Sequence, residues 1–150
     1  MSKRLWVALL LAAAPVFNAC GGDSTGPSDA SVGGAWTLSA TNVSGQGVSC
    51  NLSPTPATIA QSGSTFTGTY GPGTVVCLAG TESVSFSVQG SIVSGTVTGN
   101  SVQFDLDTQD VHHVGTLSGN SMSGTVRWTV DFGGDIGVVT LNGNWAAARQ

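Results

Sequence analysis

Few residues in this chain have chemistry to offer. They are two adjacent histidines, His112 and His113, a loose acidic group, Asp105, Asp107 and Asp110, a single glutamate, Glu82, and three cysteines, Cys20, Cys50 and Cys77. A metal centre needs several N, O or S donors converging on one point. Neighbouring residues on a strand point to opposite faces, so His112 and His113 do not chelate as a pair. Asp105-x-Asp107-x-x-Asp110 offers oxygens of the kind Ca²⁺ takes, but it lacks the glycine turn and closing glutamate of the known calcium loop. It reads as a solvated strand exit. Asp105, Asp107 and His112 meeting across a hairpin is the one arrangement that would build a weak metal site, and no metal is assigned. Catalysis has no better foothold. There is no Gly-x-Ser-x-Gly elbow, no His-Glu-x-x-His and no cofactor motif, and serine is too abundant for a Ser–His pair to mean much. The chain is expected not to be an enzyme.

The cysteines are better read together with the start of the chain. Met1-Ser2-Lys3-Arg4 is basic, and an apolar run follows from Leu5 to Val16. A membrane-spanning helix needs roughly 20 apolar residues, and this run is shorter. A basic start followed by a run of this length is the export-signal pattern. The run ends in Phe17-Asn18-Ala19-Cys20, which resembles the lipobox of bacterial lipoproteins. That resemblance implies removal of residues 1–19, acylation of Cys20 and a membrane partner reached through the lipid, with several acyl chains needed for a stable anchor. Gly21 after the cysteine implies the outer membrane, facing periplasm or cell surface. Residues 20–31 have almost no apolar surface to bury and are expected to act as a tether. Once Cys20 is lipidated, Cys50 and Cys77 form an even remainder in an exported chain, which predicts a disulfide. The alternatives are two buried thiols or a metal pair short of ligands. Loss of Lys3 and Arg4 with the leader leaves Arg127 and Arg149 against eight acids, a net charge of −6. Two arginines cannot assemble a basic patch, which excludes nucleic acid as a partner.

The elements that must position these residues are strands. Residues 32–150 form one domain of a single texture, in which short alternating apolar and polar runs are separated by Gly, Asn and Ser. Met122 to Asp131, Ser83 to Gln89 and Val102 to Asp107 keep a strict period of two, the mark of a strand with one face on a core. The 22 glycines argue against helix. Runs near 34–42, 56–61, 65–70, 74–78, 83–90, 92–98, 101–107, 111–117, 121–131, 136–142 and 144–149, some of them merging, give eight to nine strands. Turn phrases at Gln61-Ser62-Gly63-Ser64, Thr98-Gly99-Asn100-Ser101, Ser118-Gly119-Asn120-Ser121 and Leu141-Asn142-Gly143-Asn144 separate hairpins. The prediction is an all-β, antiparallel up-and-down barrel of about eight strands, with a β-sandwich as the alternative. Closure is favoured because the lysine-free mature surface is poorly equipped to protect open edges.

Gly34-x-Trp36 at the start of the first strand and Trp145 to Arg149 at the end of the last resemble lipocalins and the wider calycin group. The resemblance implies that Trp36 plugs one barrel end and that Arg149 packs over it. Phe66, Tyr70, Phe86, Phe104, Trp128 and Trp145 are candidate lining for a ligand pocket, although small barrels usually fill their interior with side chains. Three functions stay open. The first is a module binding an apolar small molecule or a glycan. The second is a protein-interaction or inhibitor lipoprotein using a loop such as Asn51–Pro56 beside Cys50. The third is a structural envelope protein without a ligand.

Overall fold

The computed structural model describes residues 30–108, 110–134 and 137–150. Cys20, the leader and most of the tether lie outside the described residues. The strands are β1 (Gly34–Gly45), β2 (Val48–Ser62), β3 (Thr65–Ala79), β4 (Glu82–Thr98), β5 (Ser101–Leu106), β6 (Asp110–Ser118), β7 (Ser121–Asp131) and β8 (Val138–Arg149). Each pairs antiparallel with the next, and β1 closes on β8, so the sheet is a closed up-and-down barrel and not a sandwich.

Local chemistry explains the connections. Gly63-Ser64, Gly80-Thr81, Gly99-Asn100 and Gly119-Asn120 each put glycine first with φ between 56° and 61°. That is the arrangement of a II′ turn, whose twist matches the flanking strands. The fourth turn phrase is a correction. Leu141-Asn142-Gly143-Asn144 lies inside β8. A Cβ on Gly143 would lie 2.5 Å from Val43 Cα, so this glycine serves a close backbone approach to β1 and not a turn. Asn51–Pro56 is likewise not a loop. It belongs to β2, and Thr37 and Leu38 of β1 pair with Pro56 and Thr55. The β2–β3 ladder skips from Leu52↔Val75 to Ala57↔Tyr70, and the prolines fall in that irregular stretch, where a missing N–H does least harm. The runs expected at 65–70 and 74–78, at 83–90 and 92–98, and at 136–142 and 144–149 each join into one strand.

The core is the barrel interior, and it is filled. Phe104 stacks on His113 at 4.4 Å, while Trp145 meets the edge of both rings at 5.2 and 5.5 Å. Phe66 packs on Phe104 at 6.0 Å. The Trp145 indole fits because Gly115 and Gly124 face each other across β6 and β7. A Cβ on Gly115 would come 2.8 Å from the indole, and one on Gly124 would come 2.0 Å from the Val114 carbonyl oxygen. Gly124→Ala is therefore expected to lower stability by about 1–3 kcal/mol through overpacking against backbone. Urea denaturation at constant m-value checks it, and an unchanged midpoint would show that β6 and β7 can separate freely.

One barrel end carries the first and the last described residues, Ala30 and Gln150, and is knitted shut. Ala30 N donates to Gly99 O and Arg149 N to Asn120 O. Gln61 accepts from Val32 N at 2.6 Å and donates to Ala30 O at 3.2 Å, which holds the entering chain across the opening. Val32 is thereby fully buried as a plug. Above it, Trp36 donates from Nε1 to Val32 O at 2.8 Å, and the Arg149 guanidinium lies 4.4 Å from the indole centroid.

Candidate functional site

The other barrel end is built differently. β2, β3 and β4 are the longest strands, and β5 joins β4 only from Ile92 onward. The first half of β4, with the paired half of β3, therefore stands above the β5–β6 side as an overhanging wall. Cys50 and Cys77, directly opposed in the β2–β3 ladder, form the disulfide that ties this wall to β2. On the inner face of the wall, Phe86 leans across the opening onto Trp128 of β7, with ring centroids 6.2 Å apart.

Below that contact is an apolar concavity of about 40 Å³, lined mainly by Leu52, Tyr70, Val88, Val111, His113 and Trp128. Of the residues expected to form a pocket, Tyr70 and Trp128 line it and Phe86 guards its entrance. Phe66, Phe104 and Trp145 do not line it. They fill the interior beneath, because their positions on β3, β5 and β8 lie toward the closed end, where the rings pack on one another. Tyr70 hydroxyl and Thr108 hydroxyl hydrogen-bond each other at the rim, and burial pushes the Tyr70 phenol above its ordinary pKa.

His113 is the polar group at depth. It is 2% exposed, and its Nδ1 has no hydrogen-bond partner. Burial, reinforced by the nearby His112 charge and opposed by Asp105 and a backbone hydrogen bond with Phe104, lowers its pKa to about 3. The ring is therefore neutral in the native state at pH 7. The folded pKa lies below the unfolded value of 6.5, so the unfolded chain binds the extra proton as pH falls. Stability should then decrease from about pH 6.5 down to about 3, by roughly 1.4 kcal/mol per unit at most and about 2 kcal/mol between pH 7 and 5. Denaturation at the two pH values tests this. His113→Phe, which keeps a ring stacked on Phe104, should remove the dependence, and an equal slope in that variant would place its origin elsewhere.

The remaining candidates separate. His112 sits on the outer face opposite Asp105 in the β5–β6 ladder, with Nδ1 and Oδ1 at 2.5 Å and both side chains 39% exposed. A pair so exposed contributes little to stability. Asp107 does not join them. Its carboxylate accepts from Ser91 N at 2.7 Å, and that backbone hydrogen bond holds its pKa below the ordinary carboxylate value. Among the described residues, no three His, Cys, Asp or Glu side chains converge on one point. Sequence reasoning passed over three groups: Gln61 as the clamp at the closed end, the Asp107–Ser91 link, and His113 as the buried polar atom under the mouth. For His113 a signal existed, because it shares strand parity with Val111 and Leu117. For Gln61 and Asp107 there was none, since each acts on chain that is distant in sequence.

Comparison with known proteins adds no identity: no protein-family model, curated protein or solved structure matches this chain.

Proposed function

We propose that this chain is a non-enzymatic envelope lipoprotein whose barrel is a binding module, and that its mouth takes a slender apolar group such as the end of an alkyl chain. The observation that carries this reading is the apolar concavity beneath Phe86 and Trp128, which has the buried His113 ring in its lining. Apolar lining with one placed polar group is the common pattern of a ligand site. His113 is neutral there, so no buried charge opposes an apolar group. The enclosed volume of about 40 Å³ admits only the tip of a ligand, so the rest lies along Leu52, Val88 and the inner face of the wall. A glycan fits less well, because sugar hydroxyls need several partners and those of Tyr70 and Thr108 already satisfy each other.

Titration with n-alkyl alcohols of increasing length tests the reading. Affinity should rise about fourfold per methylene while the chain still enters the mouth, with the Trp128 indole and His113 ring resonances shifting together. Absence of any shift at both residues would discard the site. Native mass spectrometry of protein taken from its host would show a ligand that co-purifies.

The filled interior also favours a second reading, in which the overhanging wall docks a protein. Val76, Leu78 and Val84 are exposed there beside the disulfide. A pulldown that loses its partner on Leu78→Ser while alkyl binding is unchanged would select it.

The anchor belongs to the same proposal. Its support is the basic start, the apolar run, the lipobox-like Phe17-Asn18-Ala19-Cys20 and the use of Cys50 and Cys77 in a disulfide. Gly34-x-Trp36 under Arg149 supports a calycin-like ancestry for the barrel. Intact mass of the mature protein should show a diacyl or triacyl addition on Cys20. A free, unacylated N-terminus would remove the anchor and the outer-membrane location together.

A further inference from the structure

Among the described residues, β4 is bonded along one edge only over its first half. β5 takes up the other edge at Ile92↔Leu106, and Asp107 completes the junction. Its N–H donates to Ser91 O at 3.1 Å, and its carboxylate accepts from Ser91 N at 2.7 Å. Ser91 thus turns both backbone groups away from β3. The same parity holds toward the tip. A two-residue turn makes Ala79↔Glu82 a hydrogen-bonded pair, so Glu82, Val84, Phe86 and Val88 bond to β3. Ser83, Ser85, Ser87 and Gln89 present their N–H and C=O groups outward, and among the described residues no strand pairs with them. From Ser83 to Gln89 the edge strand carries no lysine or proline, and the nearby ladder irregularity lies on the β3 side, at Gly71 and Pro72 opposite Gln89.

We propose that the edge is covered by the same edge of a second copy, antiparallel about a two-fold axis at Phe86. In an interface of this kind residue i meets residue j and j meets i, so residues at equal distances from the axis must suit each other. Val84-Ser85-Phe86-Ser87-Val88 is the same in both directions from Phe86, and beyond it Ser83 and Gln89 are both polar. The pairing sets Ser85 opposite the partner's Ser87 and Ser83 opposite the partner's Gln89. These are the outward residues, so each pair exchanges two hydrogen bonds and every open group is used. Phe86 meets its own copy at a non-hydrogen-bonded position, where Cα atoms approach to about 4.5 Å. Val84, 55% exposed in the single chain, gains the partner's Val88 as a neighbour on the same face. Other registers fit worse. A centre at Ser85 sets Gln89 against the turn residue Thr81, and a centre at Ser87 sets Ser83 against Ser91, already bonded to Asp107. With the axis at Phe86, each hairpin tip stops where the other copy's β5 begins. The pairing does not depend on what the mouth binds.

The test uses the full chain isolated from its host in non-ionic detergent. Sedimentation should show a concentration-dependent dimer. Ser85→Lys with Ser87→Lys places lysines opposite each other across the axis and should weaken association about tenfold. Both side chains lie on the exposed outer face, and an intact disulfide and unchanged circular dichroism confirm the fold. Phe86→Cys should give a covalent dimer on a non-reducing gel, while Ser85→Cys, with thiols offset along the strands, should not. A chain monomeric at all concentrations, a dimer indifferent to the lysines, or cross-linking at position 85 in preference to 86 would each overturn the proposal. Alkyl binding measured on the same samples keeps the outcome for the mouth separate.

Discussion

Trp36→Ala is expected to lower the stability of the barrel by about 3–5 kcal/mol, the range for deleting a large buried aromatic side chain. Trp36 is 1% exposed and joins three parts of the closed end. Its N–H satisfies Val32 O at 2.8 Å, its face carries the Arg149 guanidinium at 4.4 Å, and its body fills the space over Val32. Without the indole, a buried carbonyl loses its donor. Arg149, whose guanidinium donates to Ser31 O at 2.7 Å and to Gly33 O, loses the surface that orients it. The residues crossing the barrel end, Ala30 to Gly33, should then exchange their amide hydrogens faster than the rest of the sheet. Trp36→Phe separates the parts, because it keeps ring packing and removes the N–H. It should cost about 1–3 kcal/mol, the penalty of one buried group left unsatisfied. Urea denaturation followed by circular dichroism measures both variants. A loss below about 1 kcal/mol for Trp36→Ala would show that the plug is Val32 and the Gln61 clamp, without the tryptophan.

Removal of the Cys50–Cys77 bond is the second large expected effect. The two residues are 27 apart in sequence, and a loop of that size gives about 3–4 kcal/mol of stabilisation by restricting the unfolded chain. Both side chains are buried, so Cys50→Ala with Cys77→Ala adds a small packing loss to the entropic one. The position in the ladder matters as much as the magnitude. Cys77 is also the β3 partner of Val84, so the bond anchors the wall that bears Phe86 and the open edge of β4. Its loss should raise hydrogen exchange first in β3 and β4 above Gly73, and it should weaken both alkyl binding at the mouth and the β4–β4 pairing. Equal denaturation midpoints for oxidised and reduced protein would remove the structural role claimed for the bond.

The prediction for His113 differs in kind, because it depends on how a polar residue came to lie in the core. Strand parity alone placed His112 and His113 on opposite faces. Which of them went inside was decided by the register of β6 against β5, where Phe104↔His113 and Asp105↔His112 are the pairs. That register puts the buried histidine on the Phe104 ring and leaves the exposed one beside a carboxylate.

How much of the fold was legible depends on the range of the interaction involved. Alternation in β4, β5 and β7 and the Gly-first turns are local, so they could be read from neighbours in sequence. The breaks expected after Tyr70 and near Gly143 were misplaced because the glycines there serve close approach to another strand. A Cβ on Gly73 would meet Thr55 Oγ1 at 2.2 Å, and one on Gly143 would meet the backbone of Val43. A turn glycine and a contact glycine look alike in a sequence. The prolines of Asn51–Pro56 misled in the same way, since a gap in the β2–β3 ladder accommodates them.

By itself, then, the sequence determined the residues that could do chemistry, their small number, the acidic balance, and the all-β hairpin order. Each of these follows from composition or from a period of two along the chain. Only the tertiary structure decided that the sheet closes and that Phe66, Phe104 and Trp145 fill its interior while Tyr70, Phe86 and Trp128 surround the mouth. It also decided that Asp107 binds Ser91 and not the Asp105–His112 pair. Those outcomes rest on register and strand length. A shift of one residue moves a side chain from core to solvent, and a short β5 beside a long β4 is what leaves one strand edge, and one apolar mouth, open.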